Sequence, residues 1–255
     1  MNIVVCVKQV PDTADIKWTK NNTLQREGMD SVINPFDEYA IETALRIKDD
    51  VENVKVKTIS MGPKQAENTL RETLALGCDE AYLISDKKFS AADTVATSTT
   101  IASSISAICP DFDLIICGQF ATDGDTAQTG PGIAEKLRIP QVTYVRKVVE
   151  INESEMTVEK EGEYGIETLK VKLPALICVQ KCDYELRQAK IDGYIFAQKS
   201  IVPTIALENL ELKEEQVGIK GSPTYVSKAF RPEIKHNVEY IDTEKLVQIL
   251  KQEDK

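Results

Sequence analysis

The side chains best suited to chemistry gather in one stretch, residues 111–137, DFDLIICGQFATDGDTAQTGPGIAEKL. Its apolar run over residues 114–117 predicts a buried strand, and Gly118 ends that run. A turn of small and polar residues follows, and after it Ile133, Ala134 and Leu137 fall on one helical face. Strand, polar turn, helix is the order that sets a turn at the carboxyl edge of a parallel sheet, where ligands sit. Gly124, Gly130 and Gly132 carry no Cβ, which lets backbone approach a ligand closely. Free N–H groups at a helix start favour an anion, typically a phosphate. The pattern points to a nucleotide site, and an ordinary polar loop before a capped helix has the same composition.

Further candidates flank other predicted strands. Residues 2–7 form a continuous apolar run, as in a sheet covered on both faces. Lys8 leaves the carboxyl end of that run, placed to meet a phosphate or a partner carboxylate, with a solvated edge lysine as the plain alternative. A second strand over residues 54–61 ends in Gly62-Pro63, with Pro63 opening a helix to Leu74 that Gly77 closes. Ser90 and Asp93 match a capping box ahead of a helix to Ile108, and Thr94, Thr97 and Ser98 put hydroxyls on its first turns. Those hydroxyls reach a nucleotide if they face the Gly124 loop. Asn34, Pro35 and the acids Asp37 and Glu38 open another helix, with Asn34 as its N-cap.

The order β-α-β-α-β-α-β-α predicts a doubly wound, mostly parallel α/β sheet. Residues 142–182 break the alternation into four strands split by charged turns, which reads as an antiparallel extension. Residues 201–241 lack strong periodicity, and only residues 243–252 look helical again. A long tail rich in Ile, Leu, Val and Tyr but without a core of its own is expected to lie on a partner. Two units follow: a nucleotide- or flavin-binding α/β domain, 1–200, and a C-terminal arm, 201–255. Trp18, isolated in a polar segment, marks an interface or covers the sheet edge.

Composition narrows the function. A net charge of −10 argues against nucleic acid, which needs clustered Lys and Arg. No apolar run approaches the ~20 residues that span a bilayer, so no membrane insertion is expected. The opening residues enter a strand at once, so no signal peptide and a cytoplasmic location are expected. The six cysteines include no C-x-x-C pair and read as reduced structural thiols. The single histidine, His236, sits in a charged segment, so a histidine-based triad or metal centre has little to rest on. No side chain stands out as an acid–base catalyst, which leaves the chemistry to a cofactor.

Six motifs in register give the chain a family resemblance. They are VCVKQVPD at 5–12, NPFDEYA at 34–40, MGP at 61–63, ADTVATS at 92–98, DGDTAQTGP at 123–131 and GSPT at 221–224. Together they resemble the beta subunit of an electron-transfer flavoprotein, over nearly the whole chain. The resemblance implies an alpha subunit as partner, embraced by the C-terminal arm. In respiratory members the beta subunit holds AMP. In electron-bifurcating members the same pocket holds a second FAD that meets NADH. The DGDTAQ and ADTxATS motifs are more similar to the bifurcating group. That group's function would be to take electrons from NADH and split them between a flavin-dependent dehydrogenase and a low-potential acceptor, ferredoxin or flavodoxin. The alternatives are a single-flavin carrier with structural AMP and a nucleotide-binding regulatory module.

The cofactor-binding residues expected on this basis are Val7, Lys8, Gln9, Val10, Met61, Gly62, Pro63, Asp93, Thr94, Thr97, Ser98 and Gly118, with Asp123, Gly124, Asp125, Thr126, Ala127, Gln128, Thr129 and Gly130. Asp123 and Asp125 suit capping or a ribose hydroxyl better than a phosphate. Thr126, Gln128 and Thr129 suit direct donation. By position, residues 187–199 resemble the family's dehydrogenase-recognition loop, with Ile191 as its apolar anchor.

Overall fold

The computed structural model describes residues 1–12, 31–227, 238 and 240–253, so Trp18 and His236 lie outside the described residues. The first strand, β1 (Asn2–Cys6), sits in the middle of a nine-stranded sheet. Its Ile3, Val4 and Val5 are all buried, because both faces of the sheet are covered. A small hairpin, β2 (Gln9–Pro11) and β3 (Ser31–Ile33), follows it and leads into α1 (Pro35–Asp50). Then come β4 (Lys55–Met61), α2 (Glu67–Leu76), β5 (Glu80–Ile84), α3 (Thr94–Ile108), β6 (Leu114–Gly118) and α4 (Thr129–Leu137). Residues of α1 and α2 pack with Ile3 and Val5 on one face; residues of α3 and α4 pack with Val4 on the other. This is the expected doubly wound arrangement.

The remaining strands are β7 (Gln141–Ile151), β8 (Glu155–Gly162), β9 (Gly165–Lys172), β10 (Ala175–Val179) and β11 (Thr204–Ile205), with α5 (Ile191–Lys199) before β11 and α6 (Thr243–Glu253) near the end. The sheet order is β11-β5-β4-β1-β6-β10-β7-β8-β9. Within it only the β7–β8 and β8–β9 pairs are antiparallel. The fourth strand of the predicted extension does not belong to it: β10 inserts between β6 and β7, parallel to both. Its five residues are all buried, as a central parallel strand requires.

Local starts and stops differ in two places. Pro63 precedes a 3-10 turn, Lys64–Ala66, and α2 proper begins at Glu67. Ser90 closes a 3-10 turn, Lys87–Phe89, and Asp93 alone caps α3, accepting from the N–H groups of Val95 and Ala96. A carboxylate satisfies two orphan donors at once, which outcompetes the hydroxyl three residues earlier.

The segment beyond residue 200 is not uniform. Thr204–Ile205 adds an edge strand to β5, and Leu207, Leu210 and Val217 are buried in the apolar cluster beneath α3. This part lies on the chain's own domain. Among the described residues from Tyr225 outward, Tyr225, Val226, Val238 and Tyr240 are exposed, and α6 shows Leu246, Val247, Ile249 and Leu250 to solvent. Leu210→Ala should therefore destabilise the chain on its own by about 2–5 kcal/mol, the range for losing a buried leucine. Urea unfolding of the chain without its partner tests this; an unchanged midpoint would mean that Leu210 stabilises nothing within the domain.

Candidate functional site

In this sheet β4 and β5 step away from β1 in one direction, while β6 and β10 step away in the other. The crevice at the carboxyl ends of β1 and β6 is therefore the topological switch point. Lys8, just past β1, and Asp123, in the loop after β6, meet across it, with Nζ 2.6 Å from Oδ1. At the next position along the edge, the Gln9 amide donates to Gln65 O at 3.3 Å, beyond Gly62 and Pro63 at the end of β4. On the α3–α4 side, Thr94 Oγ1 donates to Gln128 Oε1 at 2.9 Å, tying the two helix starts together.

The loop between β6 and α4 is held from beneath. The Asn34 side chain donates to Phe120 O at 2.9 Å and accepts from the Thr122 N–H at 3.1 Å. Asn34 occupies the N-cap position of α1, but its side chain makes no capping bond to the helix backbone and holds this loop instead. Asp37 accepts from the Lys8 N–H at 2.7 Å and the Gly118 N–H at 3.2 Å. Burial pushes its carboxyl up to about 7, against the pull of hydrogen bonds from Asn34, Lys8 and Gly118. Asn34 and Asp37 are site-forming residues that sequence reasoning read as helix-start chemistry. Neither burial nor a long-range bond has a local sequence signal.

The expected cofactor residues separate into two groups. Lys8, Gln9, Thr94 and the run Asp123, Gly124, Asp125, Thr126, Ala127 and Gln128 line one edge with their polar atoms near solvent or partly so. Asp125 and Ala127 hold left-handed backbone, φ 47° and 53°, a strain that concentrates at ligand sites. The other group has side chains committed elsewhere. Val7 and Val10 are buried, and Met61 packs against the α3-side core. Ser98 is buried and donates to Val95 O, and a Cβ on Gly132 would fall 2.8 Å from its Oγ. Thr97 is half-buried one turn into α3, and Thr129 opens α4. Gly130 is a packing glycine, since a Cβ there would meet Cys178 Sγ at 2.4 Å. Gly118 is likewise pressed against Asp37 and Phe36. Asp93 is fully engaged: besides capping α3, it accepts from the N–H and hydroxyl of Thr224.

The thiols beside this edge are quiet. A hydrogen bond with Cys6 and burial hold the Cys117 thiol well above its ordinary value, and burial does the same for Cys178. They pack as neutral groups across β1, β6 and β10. Among the described residues no cluster of His, Cys, Asp and Glu is placed to hold a metal, and no helix is long and apolar enough to cross a membrane.

Ile191 stands elsewhere, as the first residue of α5 and 80% exposed, with Tyr194, Ile195 and Phe196 also exposed. The expected recognition loop is thus helical in its second half. Arg71 Nη1 donates to Ala197 O at 2.6 Å and Ser200 O at 3.3 Å, closing the end of α5. Two small concavities, one lined by Leu74, Tyr82 and Ile201 and one by Glu42, Arg46 and Arg187, include none of the expected cofactor residues.

The Asp37 carboxyl has a consequence for stability. Between its ordinary value and about 7, the folded chain keeps a proton that the unfolded chain has already lost. Stability contributed by this group is full below that window and declines as pH rises through it. Asp37→Asn cannot titrate. Urea unfolding at about pH 5 and about pH 8 should give a wild-type decline that the variant lacks in part, so the stability gap between them narrows at the higher pH. A gap independent of pH would show that Asp37 folds as a carboxylate.

An electron transfer flavoprotein domain matches residues 21–193. The electron transfer flavoprotein subunit beta of Megasphaera elsdenii is 43% identical over 238 residues, covering 91% of this chain and 88% of its own. That of Thermoanaerobacterium thermosaccharolyticum is 47% identical over 228 residues, covering 89% and 86%. The caffeyl-CoA reductase-Etf complex subunit CarD of Acetobacterium woodii is 42% identical over 243 residues, covering 94% and 92%. Beta subunits of this kind pair with an alpha subunit in a flavin-associated complex. With such identity over most of both chains, the protein belongs to the electron transfer flavoprotein family, as a beta subunit.

Proposed function

We propose that this beta subunit holds the ADP part of FAD at the carboxyl edge between β1 and β6, takes electrons from NADH, and passes them by bifurcation to a flavin-dependent dehydrogenase and to ferredoxin or flavodoxin. The observation that carries the reading is Gly124. A Cβ built there meets nothing within 4 Å, and its φ is not left-handed. Among the described residues neither packing nor backbone conformation calls for glycine here, which supports a reading in which the space is kept for a ligand. The same edge carries the Thr94 hydroxyl, Thr126 in the loop and the Lys8 ammonium, donor types that suit a diphosphate. FAD, when bound, supplies the electron-accepting chemistry. This chain's part is to bind and orient it. The likeness to a subunit of a caffeyl-CoA reductase complex favours the bifurcating reading.

A single-flavin carrier with AMP in the same place is the second reading. It is favoured by the donor set itself, which fits the adenylate phosphate common to both nucleotides. Nucleotide content of the purified heterodimer separates the two: two FAD, or one FAD and one AMP.

Gly124→Asp sharpens that test. With open space at the Cβ, unfolding should change by no more than about 0.5 kcal/mol, as for an ordinary surface site. A carboxylate beside the diphosphate should cost several kcal/mol of binding. The variant heterodimer is expected to keep the alpha-subunit flavin, lose this chain's flavin and lose reduction by NADH. Two FAD retained per heterodimer would remove the loop as the diphosphate site.

For docking, we propose α5 as the surface that meets the dehydrogenase, with Ile191 as anchor. Ile191→Ala should weaken electron transfer to that enzyme by about 1–3 kcal/mol of docking energy, with flavin content unchanged. Unaltered kinetics with the cognate dehydrogenase would exclude Ile191.

A further inference from the structure

The C-terminal arm leaves the domain at the same helix start that borders the nucleotide edge. Val217 is buried in the core, and Gly218 lies so close to the 3-10 turn that a Cβ would fall 1.9 Å from Lys88 O. Its φ of 55° also calls for glycine. The Ile219 N–H donates to Ser90 O at 3.1 Å. Ser222 Oγ accepts from the Asp93 N–H at 2.8 Å, and Thr224 gives its N–H and its hydroxyl to Asp93 Oδ2, at 3.0 and 2.8 Å. Past this point Tyr225 and Val226 are 78% and 85% exposed, and nothing described in the chain packs over them.

Asp93 therefore divides its carboxylate between two clients. Oδ1 takes the Val95 and Ala96 N–H groups at 2.9 and 3.0 Å and sets the first turn of α3. Oδ2 takes Thr224 and sets the root of the arm. Thr94, the residue between cap and turn, reaches Gln128 at the start of α4 and so connects the same helix start to the Gly124 loop. Burial works against the Asp93 charge, but the bonds from Ala96, Thr224 and Val95 outweigh it and hold the carboxyl below its ordinary range. The latch is charged near neutral pH.

We infer that Asp93 is a positioning residue that couples the two associations of this subunit: ordering of the nucleotide edge and seating of the arm on the alpha subunit favour each other through the shared start of α3. The inference rests on the nucleotide reading given above. A ligand that fixes Thr94 and Gln128 fixes the α3 start, and with it the Asp93 oxygen that the arm root uses. An alpha subunit that fixes the arm draws Thr224 onto Asp93 and fixes the same turn. Coupling of this kind is reciprocal by linkage.

The experiment measures the subunit dissociation constant of the full-length heterodimer with and without added FAD, and with and without AMP. In the unaltered protein, nucleotide should tighten the heterodimer at least about fivefold, the low end of such couplings. Ser222→Ala with Thr224→Val removes two of the three bonds to the arm root and leaves the α3 cap untouched. That pair should still bind nucleotide, while the tightening falls below about twofold. Asp93→Asn keeps a side chain able to cap a helix but weakens the acceptor for Thr224, and should fall in between. A loss of affinity that is equal with and without nucleotide would mark the latch as structural only and overturn the coupling. Full tightening in the doubly substituted protein would overturn it as well. Binding of neither FAD nor AMP by the unaltered heterodimer would instead overturn the nucleotide reading, and the coupling with it. Binding without tightening would overturn the coupling alone.

Discussion

One buried carboxylate holds the switch point together. Asp37 sits at the start of α1 and takes N–H groups from residues just past β1 and at the end of β6. The fit is close enough that any side chain at Gly118 would collide with it, a Cβ falling 2.2 Å from Oδ1. Asn34, one turn earlier, fastens the loop after β6, and the rings of Phe36 and Phe120 meet at 4.2 Å between centroids. The Lys8–Asp123 pair that spans the crevice is downstream of these contacts. An exposed ion pair contributes about 0–1 kcal/mol, whereas a buried N–H group left without its acceptor costs about 1–3. The buried bonds place the backbone on both sides, and the ion pair forms because its partners have already been brought together.

A second buried carboxylate does the same service for α5. Glu42 on α1 accepts from Arg187 Nε at 2.8 Å and from Arg46 at 3.1 Å. The Arg46 guanidinium lies over the Tyr184 ring at 4.4 Å, and the Tyr184 hydroxyl meets Thr43 Oγ1. These contacts carry the chain from the end of β10 across α1 to α2, where Gly193 allows α5 to touch the Ala75 carbonyl. Glu42 is buried while both arginines reach solvent, and Arg187 also pairs with Asp49, so the segment is held by a network and not by one isolated pair. The exposed apolar face of α5 is thus presented by a rigid support, which suits a docking surface better than a loose loop does.

What the sequence made legible was whatever is encoded locally. The continuous apolar runs of β1 and β6 announce central strands, and Pro35 and Gly77 mark a helix start and a helix end. The insertion of β10 was not legible from the order of strands. Its uninterrupted ALICV run was the available clue, since β9 exposes most of its residues and β10 none. Glycines were the hardest to sort. Gly124 and Gly130 look alike in the sequence, yet one faces open space and the other the Cys178 sulfur. That difference depends on strands some fifty residues away, and no window around residues 124–130 contains it. Ser90 and Asp93 were both candidate caps; the choice went to the residue whose second oxygen also serves Thr224, a partner far along the chain.

The acidic residues around this edge are disposed so that a chain of net charge −10 does not present them all in the open. Asp123 spends its charge on Lys8. Asp93 is surrounded by the donors of α3 and Thr224. Asp37 lies below the surface, pushed toward its neutral form by burial. The field that a ligand meets is set by charges within about a Debye length and in the open, not by the formal total. Of the carboxylates in this part of the fold, Asp125 is the one left exposed in the loop itself, on a residue whose left-handed backbone turns the chain. Apart from Asp125, each neighbouring acid is engaged by a contact that also positions the loop or the start of α3, so the charge balance of this edge and its architecture are maintained by the same bonds.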